Sequence, residues 1–288
     1  MKEFTILARG LYLEGLAVDH ATGTVWYSDV IGGGIHAVAP DGSAANYNRA
    51  RLWTGGVLVN ADGRILSTGQ GGIQWTDPAN GRSGWLINGL SGVNEMVPDG
   101  RGGILFGSVD LDRVIAGETP RPAGIYRLNP NRSVTPLAEE VGFVNGMMLS
   151  ADGTRLFFNE SFNGTFVADV RPDGSLGERT MLLAKYDCDG MARDAEGNLW
   201  ITGFESSAIT RIRPDGSVLP PFETPAGAIT QLRFGGPDGR DVWFTAVPAD
   251  AGQNLKAGRL PKKPNSLLYH VRGDIAGALI PPAEMNME

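Results

Sequence analysis

The sequence predicts an all-β protein, a single six-bladed β-propeller spanning residues 1–288. Three observations lead there. A short motif returns six times along the chain at intervals of roughly 40–50 residues. Each copy holds an apolar strand, a Gly-containing turn and a second apolar strand. The 41 glycines and 18 prolines follow no collagen-like period, so they read as turn residues between many short strands.

The copies begin at Glu14-Gly15-Leu16, Gly55-Gly56-Val57, Asn94-Glu95-Met96, Asn145-Gly146-Met147, Asp189-Gly190-Met191 and Thr230-Gln231-Leu232. Their second strands include Val25-Trp26-Tyr27, Leu156-Phe157-Phe158, Leu199-Trp200-Ile201 and Val242-Trp243-Phe244. Third strands follow, as in Ile35-His36-Ala37-Val38. Asp41-Gly42, Asp173-Gly174 and Asp215-Gly216 then supply the positive φ that tight hairpins need. Repeats of ~40–45 residues with four antiparallel strands each are the signature of propeller blades. The last copy offers only three strands, ending at Ser266-Leu267-Leu268-Tyr269-His270-Val271. Phe4-Thr5-Ile6-Leu7-Ala8 is expected to supply the fourth and close the ring, removing an exposed edge.

Composition narrows the function. Hydrophobic residues at 42% and charged residues at 20% suit a packed core rather than disorder. A net charge of -7 without a Lys/Arg stripe argues against nucleic acid. Cys188 is the single cysteine, so no internal disulfide can form. No apolar run is long enough to span a bilayer, and Met1 to Thr5 lack a signal-like apolar run. The expectation is a cytoplasmic protein with no membrane partner, monomeric or weakly homo-oligomeric.

In a propeller the first strand of each blade runs along the central channel, so equivalent positions ring the axis at one height. Here they are Glu14, Gly55, Asn94, Asn145, Asp189 and Thr230, and four of them carry a carboxylate or amide oxygen. Converging oxygens suit one hard divalent cation: two carboxylates balance its charge and an amide adds a neutral ligand. The lack of Cys and His favours Ca²⁺, Mg²⁺ or Mn²⁺, although Zn²⁺ and Fe²⁺ also accept carboxylates. The alternative is that these side chains simply cap turns at strand starts.

Leu13-Glu14-Gly15-Leu16, the segment from Val144 to Gly153 and the segment from Asp189 to Trp200 resemble the regucalcin (senescence marker protein 30)/gluconolactonase family. Phe234-Gly235-Gly236-Pro237-Asp238 resembles its last-blade signature, and the likeness covers nearly the whole chain. The resemblance implies one divalent metal, Ca²⁺ first, on Glu14, Asn145 and Asp189. It implies hydrolysis of a small-molecule lactone whose carbonyl the metal polarises. Asp189 is then the first candidate general base, with Glu14 or Glu95 as alternatives, and Asn94 orients substrate or water.

The sequence also departs from that family. Glu95 stands where Asp normally follows the Asn, and Gly92 replaces an Arg that binds substrate hydroxyls. The neighbouring positions Met96, Phe143, Met147, Met148, Phe162 and Phe204 are apolar. A lactone less hydroxylated than gluconolactone is therefore expected, bound by Asn94, Met96, Met147, Phe143, Phe204 and Asp112. Two long stretches, 110–123 and 249–264, are expected to wall or gate the channel, and Asp110 and Asp112 to reach the ligand. Cys188 lacks an adjacent His base, so it reads as a wall residue rather than a nucleophile. His20, His36 and His270 read as structural or surface residues. The competing function is a ligand-binding, condensing or isomerising propeller like the strictosidine-synthase-like proteins.

Overall fold

The computed structural model describes residues 2–287. The chain is all-β apart from two short helices, Leu111–Ile115 and Ala251–Lys256. The second strands predicted from sequence form as Val25–Asp29, Arg155–Ser161, Leu199–Gly203 and Asp241–Val247. Their β-branched and aromatic residues suit strands buried on both faces.

The core lies in the seams between neighbouring sheets. Val97 and Leu105 of the third repeat pack with Met147, Phe158 and Phe166 of the fourth. Trp200 of the fifth repeat meets Phe234 of the sixth edge-on, with ring centroids 5.1 Å apart. Fully burying one such large apolar side chain contributes ~1.5–3 kcal/mol.

The ladders make four sheets, of eight, six, four and four strands, rather than six separate sets of four. Two fusions cause this. The second and third repeats are joined by one long strand, Ser83–Pro98, which pairs with Ile65–Thr76 of the second and with Ile104–Val109 of the third. The fifth and sixth are joined by one residue pair, Gly203 with Ile229. The expected N-terminal closure is present: Thr5–Gly10 pairs antiparallel with Ser266–Arg272.

The strands that open the repeats touch in a closed ring. Leu13–Val18 contacts Thr54–Val59, which contacts Ser83–Pro98; Phe143–Leu149, Cys188–Arg193 and Ala228–Gly235 follow, and the last returns to Leu13–Val18. Convergence explains the recurrent glycine. A Cβ on Gly15 would run into the carbonyl oxygen of Gly55, and one on Gly190 into the side chain of Gln231.

Every ring strand also carries a register shift at its ring residue, between Leu13 and Leu16, Thr54 and Val57, Val93 and Glu95, Val144 and Met147, Cys188 and Met191, and Ile229 and Gln231. A bulge inserts a residue and re-aims the side chains after it.

The same strands deliver their first residues to a large cavity and their last residues to a small one at the other end. A C-terminal tail straps the small end. Ala278 N–H donates to the Arg193 carbonyl at 2.8 Å, and Ala283 N–H to the Val59 carbonyl at 2.8 Å. Among the described residues no helix is long and apolar enough to cross a membrane.

Candidate metal centre

Glu14, Asn94, Asn145 and Asp189 arrive from four different ring strands and line one cavity of about 730 Å³. Three of the four backbones, those of Glu14, Asn94 and Asp189, are fixed from the neighbouring repeat. Thr245 Oγ1 donates to the Glu14 carbonyl at 2.8 Å, Thr68 Oγ1 to that of Asn94 at 2.7 Å, and Asn159 Nδ2 to that of Asp189 at 2.7 Å. These latches escaped the sequence reading. Their only signal was a hydroxyl or amide recurring late in the second strand, at Ser28, Thr68, Asn159, Thr202 and Thr245.

Glu14 and Asp189 face an electrostatic problem. Burial, then the charge of Glu95, pushes the Glu14 carboxyl up to about 7. Burial and the charge of Glu14 raise Asp189 well above the ordinary carboxylate range, against a hydrogen bond from Asn145 that pulls it down. Tyr12, also lining the cavity, is raised by burial and by the same two acids. No basic side chain contributes to either acid. Among the described residues no group of three or more His, Cys, Asp or Glu is placed to hold a metal, and Asn145 is the amide that lines the cavity beside Glu14 and Asp189. Its Nδ2 donates to Ser161 Oγ at 3.3 Å, so Oδ1 is the amide atom that could take a cation. Two acids and one amide offer oxygen donors, the ligand type that hard cations take.

Glu95 lies elsewhere. It is buried, absent from the cavity lining, and committed on the channel axis. Its Oε2 accepts from Gln231 Nε2 at 2.5 Å and from an Arg233 guanidinium nitrogen at 3.4 Å, while Oε1 accepts from Met96 N–H at 2.9 Å. A carboxylate whose two oxygens are engaged in this way does not present them to a ligand in the cavity. Glu95 and Gln231 stand where four other repeats place glycine, so this network plugs the axis.

Several expected pocket residues are displaced. Phe143 and Phe204 line the cavity, as does Phe162. Met96 and Met147 do not: Met96 packs with Phe106 and Met147 with Phe158 in the seams. Met148 lines the small cavity at the far end. Nearness to the ring residues in sequence suggested the channel for these methionines, and the register shift at each ring residue aims them elsewhere. Asp112 is exposed on the Leu111–Ile115 helix, where Oδ1 lies 3.5 Å from Gln70 Nε2. Asp110 is bound to Arg121 at 2.6 Å. Cys188 is interior rather than a wall, among Met148, Phe157 and Met191, and burial pushes its thiol up to about 12. The two long stretches do reach the mouth, through Leu111 and Val114 on one side and Gly252, Leu255 and Lys256 on the other. Trp53 and Tyr186 complete the walls from loops that no repeat position marked.

A profile for the SMP-30/Gluconolactonase/LRE-like region matches residues 13–247. The chain belongs to the SMP-30/gluconolactonase family. Pentonolactonase XacC of Haloferax volcanii is 25% identical over 263 residues, covering 88% of this chain and 84% of the relative. The structure of a luciferin-regenerating enzyme superposes with a TM-score of 0.84 at 19% identity and covers 100% of both chains. That of regucalcin from Agrobacterium tumefaciens, described as a calcium-binding protein, gives 0.81 at 21% identity over 99% of this chain and 98% of that one. This family member thus shares the propeller fold of those structures along its whole length.

Proposed function

We propose that the protein hydrolyses a lactone in the large cavity with a divalent cation held by Glu14, Asn145 and Asp189. The carrying observation is the pair of acids that line one cavity, half-buried Glu14 and buried Asp189, where the charge of Glu14 raises Asp189 and no basic partner offsets it. Two such carboxylates beside an amide have the charge and donor chemistry of a hard-cation site. The closed ring of strands supports a reading as six blades of four strands, with Thr5–Gly10 in the last. The relative named a pentonolactonase supports the reaction class, and the regucalcin structure named for calcium supports Ca²⁺ ahead of Mg²⁺, Mn²⁺, Zn²⁺ and Fe²⁺.

When bound, the cation supplies Lewis-acid stabilisation of negative charge on the lactone carbonyl oxygen. Asp189, which lines the cavity beside Glu14 and Asn145, takes the proton of the attacking water on its carboxylate. Water oxygen bonds to the carbonyl carbon, the ring C–O bond breaks, and the departing alkoxide takes up the proton to give a hydroxy acid. Asn94 donates Nδ2 to the Val144 carbonyl at 3.2 Å, which leaves Oδ1 to orient water or a substrate hydroxyl. Val30, Trp53, Val93, Phe143, Phe204 and Leu255 exclude water and favour a less hydroxylated lactone.

Elemental analysis followed by a panel of sugar and apolar lactones tests this reading. Turnover should vanish with EDTA and return with one metal. Full turnover by Asp189→Asn, or none on any lactone by the metal-loaded protein, would contradict it.

A further inference from the structure

The Ala251–Lys256 helix carries Lys256 over the cavity mouth. Lys256 Nζ lies 4.9 Å from the ring centroid of Phe162, 5.1 Å from that of Tyr186 and 5.0 Å from that of Phe204. The rings brace one another: Phe162 meets Tyr186 at 5.4 Å and Phe204 at 5.6 Å, both edge-on. Glu205 Oε1 accepts from the same ammonium at 3.2 Å. Three aromatic rings and a carboxylate thus surround one nitrogen, and ring quadrupoles attract cations at this range.

Two observations indicate a ligand site rather than core packing. Phe162 holds a φ of 73°, uncommon for a residue with a bulky side chain, and its N–H is fixed to the Tyr186 carbonyl at 2.7 Å. Strain kept in this way points to a constrained position. Phe162 and Tyr186 are also 42% and 55% exposed, so burial does not explain their placement.

The spacing selects the ligand. A methyl carbon sits about 1.5 Å from its nitrogen and touches a ring carbon at about 3.5 Å. A methylated nitrogen therefore rests at roughly 5 Å from a ring, with its methyl layer filling the gap. A nitrogen held at 4.9, 5.1 and 5.0 Å from three rings leaves room for that methyl layer on three sides.

We propose that Phe162, Tyr186, Phe204 and Glu205 form a subsite for the methylated ammonium group of a small molecule, and that Lys256 fills it in the free protein. The rings line the same cavity that Glu14 and Asp189 line at its base, so a small ligand anchored here extends inward. The subsite does not depend on the lactonase reading, because its test is binding rather than turnover.

Calorimetric titration with choline and with its neutral isostere 3,3-dimethylbutan-1-ol tests the proposal, in EDTA and in Ca²⁺. Choline should bind at least tenfold more tightly than the isostere. Lys256→Gln, which removes the internal competitor, should tighten choline at least tenfold. Adding Phe204→Leu to that variant should reverse the gain. Tyr186→Ser, at a more exposed wall, serves if the Phe204 variant does not fold. Equal binding of choline and isostere, or no gain in Lys256→Gln, overturns the proposal. Tighter binding of a trimethyl-lysine peptide than of choline overturns the small-molecule assignment.

Discussion

The hydroxyl of Thr245 donates a 2.8 Å hydrogen bond to the backbone carbonyl of Glu14, a residue 231 positions earlier in the chain. The bond crosses the seam where the last repeat meets the first, so ring closure and a proposed metal ligand share one contact. Thr245→Val keeps the shape and removes the donor. Leaving that buried carbonyl short of a partner costs ~1–3 kcal/mol, measurable by denaturant unfolding. Calcium affinity by calorimetry should fall several-fold with it. Unchanged affinity in the folded variant would show that closure and ligand positioning are separable.

Glu14→Gln should have opposite effects on stability and function. It removes the charge that acts on buried Asp189 and relieves an acid raised by desolvation and by Glu95, so metal-free protein should melt at a higher temperature than wild type. The same variant should lose metal and lactone turnover. A lower melting temperature in EDTA would contradict the electrostatic account.

The pH dependence follows from the same group. The Glu14 carboxyl titrates near about 7 in the fold against an ordinary 4.5, so the folded state favours the protonated form. That contribution is complete below pH 4.5 and is lost as pH rises through 7. In EDTA, the advantage of Glu14→Gln over wild type should therefore widen across this window. Excess Ca²⁺ should narrow it, because the cation binds the ionised acids of the wild type.

The plug formed by Glu95 and Arg233 predicts a double-variant signature. Arg233→Met leaves Glu95 buried without its cation and should cost ~3–5 kcal/mol. Combining it with Glu95→Leu should recover part of that loss, because the uncompensated charge is gone. Chemical denaturation of the three variants checks the pattern. Additive losses would show that the 3.4 Å pair carries no coupling.

Methionine and phenylalanine positions should separate in kinetics. Phe204→Ala removes a cavity wall and should raise KM for an apolar lactone about tenfold, the loss of roughly 1.4 kcal/mol of binding. Met96→Leu conserves volume in a seam and should leave KM unchanged at a stability cost below ~1.5 kcal/mol. A larger KM effect at Met96 than at Phe204 would put the pocket on the wrong residues.

The sequence by itself carried the strand order, the sixfold recurrence and the ring residues Glu14, Asn94, Asn145 and Asp189. It could do so because hydrophobic periodicity and turn chemistry are local, and because repetition places equivalent residues equivalently. It also anticipated that the segment from Phe4 to Ala8 would pair with the last strand, which the observed strand Thr5–Gly10 does, since an unpaired edge is costly. Only the tertiary structure decided where the side chains beyond the ring residues point. The register shift at each ring residue aims Met96 and Met147 into the seams. Glu95 met Arg233 only through a contact 138 positions apart, which no local pattern encodes. The mouth likewise depends on loops that converge from separate repeats, where Tyr186, Phe204 and Lys256 become neighbours through folding alone.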